Sequence, residues 1–194
     1  MIEFPLQIAF KRIALSPQIR VTNANGQLTH FVRQKLFKLK ERVTVFADEA
    51  QTKVLFEIGA DRVLDFNAAY RFTATDGRPV GQVIRRGMRS LWSAHYDIDG
   101  GGLSLQVREE NPWVKVLDGL FSSIPIIGLF AGYWFHPAYL LRDSAGRLVA
   151  RVQKIPALTE SRYRIEQVAP IDAAARDAML LGVFMMLLLE RTRG

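Results

Sequence analysis

One pattern occurs three times along the chain, and it limits what the chain can fold into. Val21-Thr22-Asn23-Ala24-Asn25-Gly26 leads to Val32. Phe72-Thr73-Ala74-Thr75-Asp76-Gly77 leads to Val83. Leu141-Arg142-Asp143-Ser144-Ala145-Gly146 leads to Val152. Each copy is a β-rich run, a turn with Asn or Asp that closes on glycine, and a second run with valine six places after that glycine. The second and third copies add a tyrosine seven places before the glycine, Tyr70 and Tyr139. Glycine supplies the positive φ of a tight turn, and an Asn or Asp side chain caps it. The pattern is that of a β-hairpin. Its copies are unevenly spaced, which argues against a solenoid or propeller.

Further strands are expected at 42–47, 53–58, 93–98, 103–108 and 163–168, where apolar and polar residues alternate. Ile2, Phe4, Leu6, Ile8 and Phe10 alternate in the same way near the N-terminus. Asp97 to Gly102 reads as another turn. Short strands with such frequent turns imply an antiparallel barrel or sandwich.

The last segment is different. Asp172 after Pro170 can cap a helix, and residues 178–189 are uncharged and almost wholly apolar. As a helix this stretch is about 18 Å long, short of a ~30 Å bilayer core. A helix apolar all round must be buried on all sides. The inside of a barrel offers that burial, with Met179, Met185 and Met186 filling an irregular interior. A C-terminal membrane anchor is the rival reading. The expected fold is therefore mainly β: a closed antiparallel β-barrel of about twelve strands around a buried C-terminal helix at about 171–191.

A barrel threaded by an apolar C-terminal helix resembles the tubby C-terminal-like superfamily, which includes the LURP-one-related proteins and the phospholipid scramblases. Phe31 to Leu39 looks like the opening VxQKxFxL strand of the bacterial LURP-one-like proteins. Tyr70-Arg71-Phe72 through Asp76 to Val80 looks like their Asp-x-x-Gly hairpin. The stretch from Ile84-Arg85-Arg86 to Tyr96-Asp97-Ile98 looks like the strand pair that follows. The chain departs from the pattern where Asp48-Glu49-Ala50-Gln51 lacks the turn glycine. It departs again where the insertion at about 113–138 is longer and more apolar than the usual loop. The resemblance covers most of the chain, from about Gln18 to Arg191, and the chain is expected to form one domain, 1–194. It implies lipid binding, membrane tethering or scrambling, and no established chemistry.

Residues 119–135 carry no charge. One crossing of a bilayer would place the third hairpin on the opposite side from the other two, and strands cannot pair across a membrane. The stretch reads as a membrane-dipping element or as an interface that packs on the barrel or on a second copy. Phe121, Ile124, Ile126, Ile127, Leu129, Phe130, Tyr133, Trp134 and Phe135 are the contact candidates.

The chain has 26 Lys and Arg against 19 Asp and Glu, a net charge of +7. This favours anionic partners. Arg33, Lys35, Lys38, Lys40 and Arg42 crowd one strand pair, and Arg85, Arg86 and Arg89 crowd the corresponding place in the next unit. Superposed repeats would gather them into a belt on one side of the barrel, suited to lipid headgroups. Nucleic acid fits less well, since no polar helix is free to enter a major groove.

No cysteine is present, and His30, His95 and His136 lack metal-ligand spacing. No metal or cofactor is expected. Glu109-Glu110 reads as a solvated strand edge. No nucleophile, base and orienting group come together, so no catalytic residue is assigned. Glu3 and Pro5 do not fit a secretory leader, which points to the cytoplasm. The expected function is a non-enzymatic module that binds lipid or tethers to the inner face of the membrane. The alternative is a soluble scaffold that uses 119–135 as an interface with a second copy or another protein. Phospholipid scrambling is a third, weaker reading.

Overall fold

The computed structural model describes residues 2–11, 17–35, 42–60, 69–86, 95–110, 138–157 and 160–191. Twelve strands follow one another: β1 (Leu6–Phe10), β2 (Gln18–Thr22), β3 (Leu28–Lys35), β4 (Arg42–Phe46), β5 (Val54–Ala60) and β6 (Ala69–Ala74), then β7 (Pro79–Arg85), β8 (His95–Gly100), β9 (Leu103–Glu109), β10 (Ala138–Asp143), β11 (Leu148–Ile155) and β12 (Arg162–Gln167). Each pairs antiparallel with its neighbour in sequence, and β1 pairs with β12 to close the barrel. One helix, α1 (Ala173–Arg191), follows.

The threefold sequence pattern corresponds to a physical unit. The valine and the residue seven places before the glycine are cross-strand partners: Ile19 with Val32, Tyr70 with Val83, Tyr139 with Val152. All six are buried, on the inner face. The turn glycines Gly26, Gly77 and Gly146 have φ of 78°, 85° and 81°. In the first copy Asn23 Oδ1 accepts from the N–H groups of Asn25 and Gln27. In the third, Asp143 Oδ1 accepts from Ala145 and Arg147. In the middle copy alanine stands at that position, and Asp76 accepts from the Arg78 N–H instead.

The turn without a glycine shows how the position is filled. Gln51 itself adopts φ 62°, and Arg33 Nη1 donates to its side-chain oxygen at 2.8 Å. Asp48 caps this turn through the N–H groups of Thr52 and Lys53, which hold its carboxyl below the usual carboxylate range. The turn leans over the outer face, where Glu49 pairs with Lys11 and Arg20. The outward-facing Phe31 is only 1% exposed, with the Lys11 ammonium over its ring and Phe46 its cross-strand partner.

The turn read at Asp97 to Gly102 is narrower than expected. Asp97 and Asp99 belong to β8, and Gly101 and Gly102 alone form the turn, with φ of 59° and 73°. Positive φ at both central residues is the geometry of a type I′ two-residue hairpin.

Helix α1 supplies the core of the barrel. Every residue from Ala178 to Leu189 is buried. The ring of Phe184 meets His30 of β3 edge-on, and Arg191 lies over Phe10 of β1. On the other side Gly101 sits against the first turn of the helix. Asp172 Oδ1 accepts from the Ala175 N–H at 2.8 Å, so the helix begins one residue after its cap. The membrane-anchor reading is corrected: the apolar face is satisfied by the barrel wall. Among the described residues no helix is long and apolar enough to cross a membrane.

An antiparallel meander has two unlike ends. The hairpins β2–β3, β4–β5, β6–β7, β8–β9 and β10–β11 all turn at one end, where α1 begins. The remaining connections leave and return at the other, which we term the far rim, where α1 ends.

Two glycine substitutions separate conformational strain from close packing. A Cβ on Gly146 would meet nothing within 4 Å, so Gly146→Ala carries only the positive-φ penalty, about 1–2 kcal/mol. A Cβ on Gly101 would lie 2.2 Å from the Ala175 nitrogen. Gly101→Ala is therefore expected to cost clearly more, as the difference in urea midpoint between the two variants will measure.

Candidate functional site

The last inward-facing layer at the far rim is built from one residue per strand. The pairs are Phe10 with Ile19, Gln34 with Val43, Ala60 with Tyr70, Arg85 with Tyr96, Glu109 with Tyr139, and Lys154 with Tyr163. The layer is uneven. From β1 to β5 it is apolar except for Gln34. From β6 to β12 it alternates tyrosine with charge. Strand alternation produces this: each of these residues lies two places from a buried core residue such as Val32, Val83, Val107 or Val152.

The end of α1 completes the layer. Glu190 accepts a hydrogen bond from the Tyr96 hydroxyl, which draws its carboxylate towards β8 and so towards the adjacent β9. A carboxylate in the last turn of a helix opposes the helix dipole, which favours cations there. Glu109 is held above the usual glutamate range, first by burial and then by the charge of Glu190. Burial and the same carboxylates push the Tyr139 phenol up. Tyr163 is raised by burial and Glu190, against a smaller opposing effect of Arg191.

Glu109 is thus not the solvated edge that its sequence implied. Strand parity separates the two adjacent glutamates: Glu109 faces inward, while Glu110 pairs with Arg151 at 2.8 Å.

On the apolar side, Gln34 is 1% exposed and its Oε1 has no hydrogen-bond partner among the described residues. Deeper on the same strand, His30 is 5% exposed. Burial, reinforced by the nearby Arg176, pushes its pKa down to about 4, so the imidazole is neutral at pH 7.

The basic residues singled out in the sequence are distributed around the far rim. Lys35 and Arg42 are cross-strand partners at the rim ends of β3 and β4. Arg85 and Arg86 end and follow β7, four strands further round. These two split between faces: Arg85 lies on the inner face opposite Tyr96, while Arg86 is outward and bonds Asp97 at 2.6 Å. Arg33 is half-buried and serves the Gln51 turn. Lys38, Lys40 and Arg89 lie outside the described residues. So do Phe121, Ile124, Ile126, Ile127, Leu129, Phe130, Tyr133, Trp134 and Phe135. Their segment is fixed at its two ends, since the Glu110 N–H donates to the Ala138 carbonyl at 2.7 Å. It therefore departs from and returns to one point on the far rim.

Charge is distributed unevenly between the two ends. The hairpin end carries Asp48, Asp76, Asp143 and Asp172, each accepting backbone N–H groups as a cap, together with Lys53, Arg78, Arg147 and Arg176, of which Arg78 and Arg147 pair with Asp76 and Asp143. The far rim carries Arg42, Arg85, Arg86, Arg108 and Lys154 against Glu109, Glu110 and Glu190. Among the described residues no group of three His, Asp or Glu is placed to hold a metal ion.

Two groups give stability opposite dependences on pH. His30 folds neutral with a lowered pKa, so its contribution is present above 6.5 and is lost as pH falls towards 4, by about 3 kcal/mol. Glu109 has a raised folded pKa, so stability is greatest below the unfolded value of 4.5 and declines as pH rises through the folded value. His30→Gln should flatten the acid limb of a urea-midpoint profile. Glu109→Gln should raise the midpoint at pH 7 and lose that advantage at pH 4.

No family model, curated protein or solved structure matches the chain.

Proposed function

We propose that the protein is a non-enzymatic lipid-binding or tethering module that docks by its far rim on an anionic membrane surface, at the inner face of the membrane. One observation carries the reading. The uncharged 119–135 stretch leaves the barrel between β9 and β10, at the same end where the described basic side chains gather. Apolar surface and cations on one face are the two elements of a peripheral membrane contact. The hairpin end, with its acidic caps, would face away from a negative surface.

The two elements respond differently to salt. At 1 M ionic strength the screening length falls to about 3 Å, so a charge contact weakens and an apolar one persists. Wild-type protein is expected to sediment with phosphatidylserine-containing vesicles, to bind phosphatidylcholine vesicles less, and to retain part of its binding at 1 M salt. Arg42→Glu combined with Arg86→Glu should weaken low-salt binding at least tenfold, from about 1 kcal/mol per basic residue near the surface. Replacing 112–136 with a short Gly-Ser turn should leave the barrel folded, because its flanks already pair as a hairpin, and should abolish the salt-resistant part. If neither vesicle binds and the protein forms a dimer that dilution dissociates, the segment is instead a protein interface.

A further inference from the structure

The far rim contains a pair of carboxylates that neither the barrel nor a basic docking surface requires. Glu109 ends β9 on its inner face, next to Tyr139. Glu190 stands in the last turn of α1 and is bonded by Tyr96 of β8, the strand adjacent to β9. Two negative side chains thus meet at a helix end that is itself negative, in a layer closed by aromatic rings. The groups facing them are Tyr96 and Tyr139 on the flanking strands, Tyr163 on β12, Arg85 on β7, Lys154 on β11 and Arg191 on α1. Arg191 is engaged over Phe10 of β1, four strands round the barrel from β9.

We propose that this pair makes docking proton-dependent: Glu109 takes up a proton on approach to an anionic surface, and the far rim then binds that surface more tightly. The inference rests on the membrane-docking reading above and names its regulation. The proton passes from bulk water to the Glu109 carboxylate, with no other bond made or broken. Burial and the neighbouring Glu190 carboxylate already favour the neutral acid. A negative surface adds the same bias, because it concentrates protons as it does other cations. The coupling is reciprocal, so whatever protonation contributes to binding, binding contributes to protonation. Removing one negative charge from the contact face strengthens partition about fivefold.

Sedimentation with phosphatidylserine and phosphatidylcholine vesicles at pH 7.5 and pH 5.5, at fixed ionic strength, tests this. The background carries His95→Gln and His136→Gln, so that His30 is the one imidazole left in the sequence. In this background, binding is expected to rise at the lower pH, by at most about fivefold for one charge. Glu109→Gln should bind at pH 7.5 more tightly than its parent does at that pH, and should lose most of the pH dependence. Glu110→Gln, which alters the outward-facing neighbour, should keep the parent's pH dependence. Circular dichroism confirms that each variant is folded, and Glu190→Gln replaces Glu109→Gln if the latter is not. A Glu109→Gln protein with undiminished pH dependence overturns the inference and leaves docking intact. A parent whose binding is the same at both pH values does likewise. Absence of binding at either pH overturns both.

Discussion

A helix with no polar face has to be enclosed, and the architecture follows from that requirement. Ala178 to Leu189 present apolar side chains in every direction. Each large one taken out of water contributes about 1.5–3 kcal/mol, a gain available only if the helix is surrounded. Twelve short strands do this by curling into a closed wall whose inward positions are valine, isoleucine, leucine and aromatic residues. The wall needs the helix equally, because a barrel of this size without a filling would leave a void that close packing does not tolerate. Closure also removes the free strand edges that an open sheet would expose.

The same enclosure explains the contents of the far rim. Along most of its length α1 meets apolar residues. At its end the helix carries Glu190 and Arg191, and the wall changes with it, to tyrosines and alternating charges on β6 through β12. Tyrosine suits a boundary layer, with its ring towards the apolar interior and its hydroxyl towards polar partners. The cation–ring contact of Arg191 with Phe10 and the Tyr96–Glu190 bond hold the helix end at opposite sides of the barrel.

Much of this was legible in the sequence because the repeat encodes both turn and register. The valine six places after each turn glycine fixed a cross-strand pair, and the helix declared itself by the length of its apolar run. The far-rim layer was harder to read. Tyr70 and Tyr139 stood out only as repeat members, and nothing in the sequence tied them to Tyr96 and Tyr163, which belong to strands outside the repeated pattern. Glu109 and Glu110 look alike as neighbours, and only strand parity sends one inward. The same parity sends Arg85 inward and Arg86 outward, which a reading of charge clusters along the chain cannot distinguish. Gln51 shows a related limit: a side chain held by Arg33 stands where glycine would be expected, so the turn survived without its sequence signature.

The seam between β1 and β12 has a kinetic consequence. It joins Leu6 to Ile165, so the strand made near the start of the chain waits for one made near the end. Most other strand pairs are local meanders and can form as synthesis proceeds, the β9–β10 pair being the one with a long insertion. The seam closes the longest loop of all, and its loop-closure entropy makes it the slowest pairing to nucleate. The helix that fills the barrel is made later still. Until it docks, the inner faces of the strands have no partner, and the nascent sheet exposes both its apolar surface and two unpaired edges. Folding of this chain is therefore most vulnerable to aggregation just before completion.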